Sequence, residues 1–257
     1  MKMAKKSKLV VFNWKENPQT LSEASRLFAV VEKVSRYKGR AEIVVCPPVL
    51  YLGELSRKST TVARLSLGAQ NTFWENGGAY TGEVGPLMLR CIGKNVRYSI
   101  VGHSERRRYA RETDEMVNEK VRAALAAGLR VILCVGEPAD VRRRGIRAAR
   151  QFVKDQLRKD LRGLSMSDSK KGSLTVAYEP IWAISTGRNA DPEDVRDVAI
   201  FIKKETHSFL GIKIIYGGSV DGSNIDGYLC YNEIDGFLSG GASLRPKEII
   251  KIVKKVL

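Results

Sequence analysis

Short apolar runs alternate along the chain with longer segments whose apolar residues recur every three or four positions. The runs are Leu9–Phe12, Ile43–Cys46, Leu65–Ala69, Tyr98–Gly102, Val131–Val135, Leu174–Tyr178, Ile212–Tyr216 and Ile234–Leu238. Each is nearly continuous in apolar residues and ends at a polar residue or Gly, as parallel strands covered on both faces do. Between them the period is helical. Leu21, Ala24, Phe28 and Val31 share one face after Asn17-Pro18, which reads as a cap followed by the first helical residue. Asp191-Pro192-Glu193-Asp194 carries a similar start signal, with acids where the helix dipole favours them, and Arg245-Pro246-Lys247-Glu248 opens the last helix. Strand then helix, eight times, with no linker-like change in composition, predicts one (β/α)8 barrel of the α/β class filling residues 1–257 as a single domain. A doubly wound open sheet is the structural alternative, and eight repeats rather than five or six weigh against it.

In such a barrel the chemistry gathers at the C-terminal strand ends. The sequence puts Asn13-Trp14-Lys15, Gln70-Asn71, His103-Ser104-Glu105, Glu179, Gly217-Gly218-Ser219 and Gly240-Gly241 there. Either Gly pair alone would only turn the chain. Together, at adjacent strand ends and with a short helix predicted from Gly241-Ala242-Ser243, they point to a phosphate site. His103 precedes a predicted helix, whose positive end disfavours imidazolium, so the ring is expected to be a neutral donor. The other histidine, His207, falls in a helical segment and receives no role. Lys15 at the mouth can hold a phosphate and stabilise a developing enolate. Glu105 either pairs with Lys15 or is an acid at a helix start, with equal weight on each. Glu179 is followed by the apolar stretch Pro180-Ile181-Trp182-Ala183-Ile184. Trp182 and Ile184 on an exposed loop need something to cover. That loop reads as a lid that expels water from a general base.

Composition adds little to this. Lys and Arg total 44 against 28 Asp and Glu, a net charge of +16 that favours anionic partners without selecting among nucleic acid, phosphorylated metabolites and a solvated surface. Arg106-Arg107-Arg108 and Arg142-Arg143-Arg144 fall in helical segments and are expected on solvated faces. Cys46, Cys91, Cys134 and Cys230 show no CxxC and no metal spacing, so buried free thiols in a reducing compartment are expected. The basic opening is followed by too short an apolar run for a signal-peptide core, and no segment nears the roughly 20 apolar residues of a membrane span. A soluble, cytoplasmic protein is the expectation.

Eight motifs together resemble one family: FNWK at 12–15, GAQN at 68–71, GAYTGE at 78–83, IVGHSERR at 100–107, ILCVGE at 132–137, AYEPIWAISTG at 177–187, YGGSV at 216–220 and DGFLSGGAS at 235–243. In this order and spacing, over nearly the whole chain, they are similar to the triosephosphate isomerases. The resemblance implies interconversion of dihydroxyacetone phosphate and glyceraldehyde 3-phosphate, with no metal or organic cofactor. It implies Glu179 as base, His103 as electrophile, Lys15 and Asn13 as substrate contacts, and backbone groups of Ser185, Ser219, Gly240 and Gly241 as the phosphate grip. It also implies a homodimer in which the GAYTGE loop, Thr81 included, reaches the neighbouring subunit. The chain departs from the family at Ser185 (usually Gly), Ser239 (usually apolar), Arg188 (usually Lys), Glu16 (often Met) and Pro18 (often Gly). A side chain at 185 restricts the backbone of the lid, and Glu16 stands near the expected dimer contact. Two other classes compete. A nucleic-acid-binding barrel would use the charge, but needs exposed aromatics that a 7% aromatic content hardly supplies. Another phosphate-sugar barrel, if metal-dependent, would want more His and acidic ligands at the strand ends.

Overall fold

The structure, a computed structural model, describes residues 7–59, 62–165, 171–184 and 189–257. Eight parallel strands close a barrel in chain order: β1 (Leu9–Asn13), β2 (Glu42–Cys46), β3 (Leu65–Ala69), β4 (Val96–Val101), β5 (Arg130–Val135), β6 (Leu174–Tyr178), β7 (Lys213–Tyr216) and β8 (Gly236–Ser239). Val11 of β1 lies opposite Val44 on one side and Leu238 on the other, which completes the ring. Around it run α1 (Leu21–Ser35), α2 (Val49–Lys58), α3 (Pro86–Ile92), α4 (Ser104–Tyr109), α5 (Asp114–Ala126), α6 (Ala139–Arg142), α7 (Ile146–Asp160), α8 (Pro192–Glu205), α9 (Ile225–Leu229) and α10 (Pro246–Val256). This is the expected (β/α)8, or TIM, barrel.

The two-residue period of a strand divides its side chains between two cores. Val10, Phe12, Ile43 and Val45 pack outward against the helices. Leu9, Val11, Cys46, Ile132, Ala177 and Ile215 point inward and fill the barrel. Continuing the inward register by one more step brings Asn13, Glu179 and Gly217 to the mouth. Gly68 is also inward, since a Cβ there would sit 2.8 Å from the Cys46 sulfur, and so the next inward position after β3 is Gln70.

At the opposite end Glu42 accepts from the Tyr98 hydroxyl at 2.5 Å, from Arg130 Nη1 at 2.7 Å and from Lys213 Nζ at 3.0 Å. Those contacts tie β2, β4, β5 and β7 across the barrel floor. Polar groups at that end hold the fold together and leave the other end free for chemistry.

Three expectations need correction. Asn17-Pro18 does not start α1: the helix begins at Leu21, and the Thr20 hydroxyl accepts from Glu23 N–H at 3.3 Å. A local side-chain cap three residues later outcompetes the Asn-Pro signal. Nor is the Arg106-Arg107-Arg108 cluster simply solvated. Arg107 donates to Asp114 at 2.6 Å and to Asp160 at 2.7 Å with only 13% of its side chain exposed, and Arg106 pairs with buried Glu112. Arg142 pairs with Asp194, and its guanidinium lies 5.4 Å over the Trp182 ring. The thiols divide: Cys46 and Cys134 are buried, whereas Cys91 and Cys230 are exposed. The starts of α8 and α10 are as expected, with Asp191 capping through its side chain and Pro at the first turn of each.

Candidate active site

Glu179 stands one residue beyond β6, and its N–H continues the ladder to the Val135 carbonyl at 2.8 Å. Two glycines make room for it. A Cβ at Gly136 would come 1.8 Å from the Glu179 carbonyl oxygen, and one at Gly217 would come 2.7 Å from Glu179 Cγ. The carboxylate is therefore held between the tips of β5 and β7, with 2% of its side chain exposed. Its Oε2 accepts from the Ser104 N–H at 3.2 Å, in the first turn of α4. Its Oε1 has no hydrogen-bond partner among the described residues and lies 3.3 Å from His103 Nε2. A buried carboxylate oxygen left without a partner is costly to the fold. Such groups concentrate where chemistry is done.

His103 is the N-cap of α4, and its Nδ1 accepts from the Glu105 N–H at 3.2 Å. That bond uses the Nδ1 lone pair and leaves Nε2, the nitrogen that faces Glu179, as the donor of the ring. Beneath them, burial first and the Glu179 carboxylate second push the Cys134 thiol well up, so it remains a neutral neighbour.

Lys15 adopts a left-handed backbone, φ 54°, which costs a side-chain-bearing residue energy. Asn13 and Gln70 hold it there. Asn13 Oδ1 accepts from the Lys15 N–H at 3.0 Å, and Gln70 Nε2 donates to the Lys15 and Cys46 carbonyls, each at 2.8 Å. The Lys15 ammonium pairs with Glu105, which also lies in the first turn of α4, so both readings of that acid hold. A Cβ on Gly240 would sit 3.1 Å from Lys15 Cε, so a side chain there would press on the lysine stem.

Beside this group a cavity of about 430 Å³ is lined by Lys15, Gly218, Ser219, Gly240, Gly241 and Arg245, among others. A short 3-10 helix, Gly241–Leu244, begins at its edge, as the Gly-Gly-Ala-Ser stretch led us to expect. Ser219 Oγ donates to the Ala183 carbonyl at 2.8 Å and Ser243 Oγ to the Asn13 carbonyl at 3.3 Å, which fastens the loops to one another. Asn13, Lys15, His103, Glu179, Ser219, Gly240 and Gly241 thus converge at one mouth. Thr81 lies apart, on an exposed loop. Ser185 and Arg188 fall outside the described residues.

Two participants had no role in the sequence reading. Gln70 was noted at a strand tip, but its inward register, two positions past Gly68, was the available signal. Glu137, fully buried at the end of ILCVGE, accepts from the Tyr178 hydroxyl at 3.0 Å and from Trp182 Nε1 at 2.8 Å. Burial, reinforced by that carboxylate, pushes the Tyr178 phenol up. Trp182, expected on an exposed loop, is half-buried and tied down by its indole N–H.

A closed barrel whose mouth joins a buried carboxylate, an imidazole and a lysine to a glycine-walled cavity has the parts of a (β/α)8 enzyme with an acid–base site. Sequence comparison narrows the class. The chain belongs to the triosephosphate isomerase family, whose sequence model matches residues 8–256. It is 45% identical over 254 residues to the triosephosphate isomerase of Caldanaerobacter subterraneus subsp. tengcongensis, covering 95% of this chain and 98% of that one. The corresponding protein of Dictyoglomus thermophilum is 43% identical over 255 residues, 96% of this chain and 98% of its own. That of Clostridium tetani is 40% identical over 252 residues, with 95% of each covered.

Proposed function

We infer that the chain interconverts dihydroxyacetone phosphate and D-glyceraldehyde 3-phosphate through an enediolate, with the roles divided as follows. The substrate phosphate sits in the cavity beside Gly240 and Gly241, against their amides, that of Ser219 and the start of the 3-10 helix. Glu179 Oε1 takes a proton from the carbon next to the carbonyl. His103 Nε2–H donates to the carbonyl oxygen as charge develops there, and the Lys15 ammonium stabilises the resulting anion. His103 Nε2 gives its proton to the former carbonyl oxygen and regains one from the hydroxyl oxygen on the adjacent carbon, while the carboxylic acid returns its proton to the former carbonyl carbon, so that imidazole and carboxylate are both restored. Asn13 acts by holding Lys15. The observation that carries this reading is the unpartnered Glu179 Oε1, 3.3 Å from a ring nitrogen that must bear its proton. A coupled assay with glyceraldehyde 3-phosphate tests it, repeated with 2-phosphoglycolate, a mimic of the planar anionic intermediate. Rapid turnover with tight competitive inhibition is expected. No turnover, or inhibition no stronger than that by inorganic phosphate, overturns it.

A homodimer completes the proposal. Leu50 is 74% exposed, Tyr109 72%, Met88 56%, and Val49, Leu87 and Tyr80 nearly half. All six lie in segments that follow β2, β3 and β4, and the Thr81 loop also follows β3. Apolar exposure gathered in that way marks a contact surface. A reducing cytoplasm suits four unpaired cysteines. No helix among the described residues is long and apolar enough to cross a membrane.

A further inference from the structure

Two buried phenols meet at Ala190, the first buried residue after the segment that follows Glu179. The Ala190 N–H donates to the Tyr216 hydroxyl oxygen at 3.2 Å, and the Tyr228 hydroxyl donates to the Ala190 carbonyl at 2.7 Å. The rings stack, with centroids 4.7 Å apart and planes 28° from parallel, and both side chains are at most 1% exposed. Ala190 lies ahead of the first turn of α8, so no helical bond serves either of its backbone groups there. The two tyrosines supply both partners.

This pair also touches the anion cavity. The Tyr216 hydroxyl lies so close to Gly218 that a Cβ there would come within 2.2 Å of it. Gly218 and Asn189, the residue before Ala190, both line the cavity. One hydroxyl therefore abuts one cavity wall while its stacking partner fixes the chain of the other. The second phenol also fixes where the first one points, since a stacked ring and a shared backbone target leave Tyr216 little freedom.

We propose that Tyr228 is a positioning residue for the phosphate site: its hydroxyl anchors the Ala190 carbonyl and, through the stacked Tyr216, sets the distance between the Asn189 and Gly218 walls. It touches neither substrate nor reacting atoms. The proposal rests on the reading that the cavity beside Gly240 and Gly241 takes the substrate phosphate. Its consequence is specific to phosphorylated ligands, because the Glu179–His103 pair is held by other contacts, namely Ser104, Glu105 and the glycines at 136 and 217.

The test is Tyr228→Phe, which keeps the ring and its stack and removes one hydroxyl. Four quantities are measured on the full-length protein: KM for glyceraldehyde 3-phosphate, the inhibition constant of 2-phosphoglycolate, kcat/KM for unphosphorylated D-glyceraldehyde, and the melting temperature. The expected result is a roughly ten-fold weakening of both phosphorylated ligands, the scale of one hydrogen bond. Turnover of D-glyceraldehyde should stay within about two-fold of the wild type, a separation that mere destabilisation would not produce. Equal losses on both substrates, or no change on either, overturn the role of Tyr228. Should Tyr228→Phe fail to fold, Tyr228→Trp, which keeps a stacking ring and an N–H donor, takes its place with the same readouts. Failure of wild-type protein to discriminate 2-phosphoglycolate from unphosphorylated glycolate overturns the phosphate site itself, and the Tyr228 proposal with it.

Discussion

Gly217→Ala is the substitution that probes most finely how the carboxylate of Glu179, the proposed base, is held. The new methyl would stand 2.7 Å from Glu179 Cγ, where ordinary contact begins at 3.4 Å, so the side chain must retreat by about 0.7 Å. The backbone at 217 is not in the left-handed region, so strain there plays no part. Glu179 cannot retreat toward β5, because Gly136 already packs against its carbonyl. The movement therefore falls on the carboxylate, relative to His103 and to any bound carbon. A displacement near 1 Å in a proton-transfer group costs on the order of 100-fold. We expect kcat to fall roughly 30- to 100-fold, with KM within about three-fold because the anion cavity is untouched. The coupled isomerase assay measures both, and a thermal melt shows that the variant is folded. A kcat within two-fold of the wild type would refute the claim that Gly217 sets the position of Glu179.

Other substitutions probe different parts. Gly136→Ala places a methyl 1.8 Å from a backbone oxygen that cannot yield, so it should abolish folding at expression temperature, as soluble yield will show. Gly53→Ala in α2 meets nothing within 4 Å and replaces a helix-interior glycine; it should stabilise by about 0.5–1 kcal/mol in denaturant unfolding with activity unchanged. At the barrel floor, burial opposes the charge of Glu42, but the Tyr98 hydrogen bond and the Lys213 and Arg130 cations outweigh it and hold the carboxyl below its ordinary value of 4.5. A lowered folded-state value means that stability is present above pH 4.5 and lost as pH falls through the folded value. Glu42→Gln should therefore cost about 2 kcal/mol at pH 7, and chemical denaturation should show that difference shrinking steadily below pH 4.5. Leu50→Glu should convert the proposed dimer to monomer in light scattering, by setting a charge at a residue that is 74% exposed in the single chain; a wild type that already runs as a monomer would refute the dimer.

Much of this molecule was legible because period two and period 3.6 are local. Leu9 and Val11 already say that Asn13 faces inward, and Asp191-Pro192 says where α8 starts. The motifs located Glu179, His103 and Lys15 before any geometry was known. The rest depended on contacts far apart in the chain. Arg107 looks like one of three surface arginines until Asp160, 53 residues away, is seen beneath it. Gln70 looks like a polar turn residue until the left-handed Lys15, 55 residues earlier, needs its carbonyl satisfied. Trp182 reads as exposed only while Glu137, its partner 45 residues back, is unknown. Asn17-Pro18 misled because two start signals lie within four residues and only the one whose hydroxyl reaches an amide is used. For Arg107, Gln70 and Trp182 the sequence showed the residue type, and a distant partner decided what it does.

The claim on which the rest depends is that Glu179 moves the substrate proton. Glu179→Gln keeps shape and burial but cannot accept a proton at that atom. Turnover of glyceraldehyde 3-phosphate should fall by roughly 1,000-fold or more. Glycerol 3-phosphate, which needs only the anion cavity, should bind as it does to the wild type, and deuterium from heavy water should no longer enter the substrate carbon. Turnover within ten-fold of the wild type, or deuterium still entering at the original rate, would contradict the account.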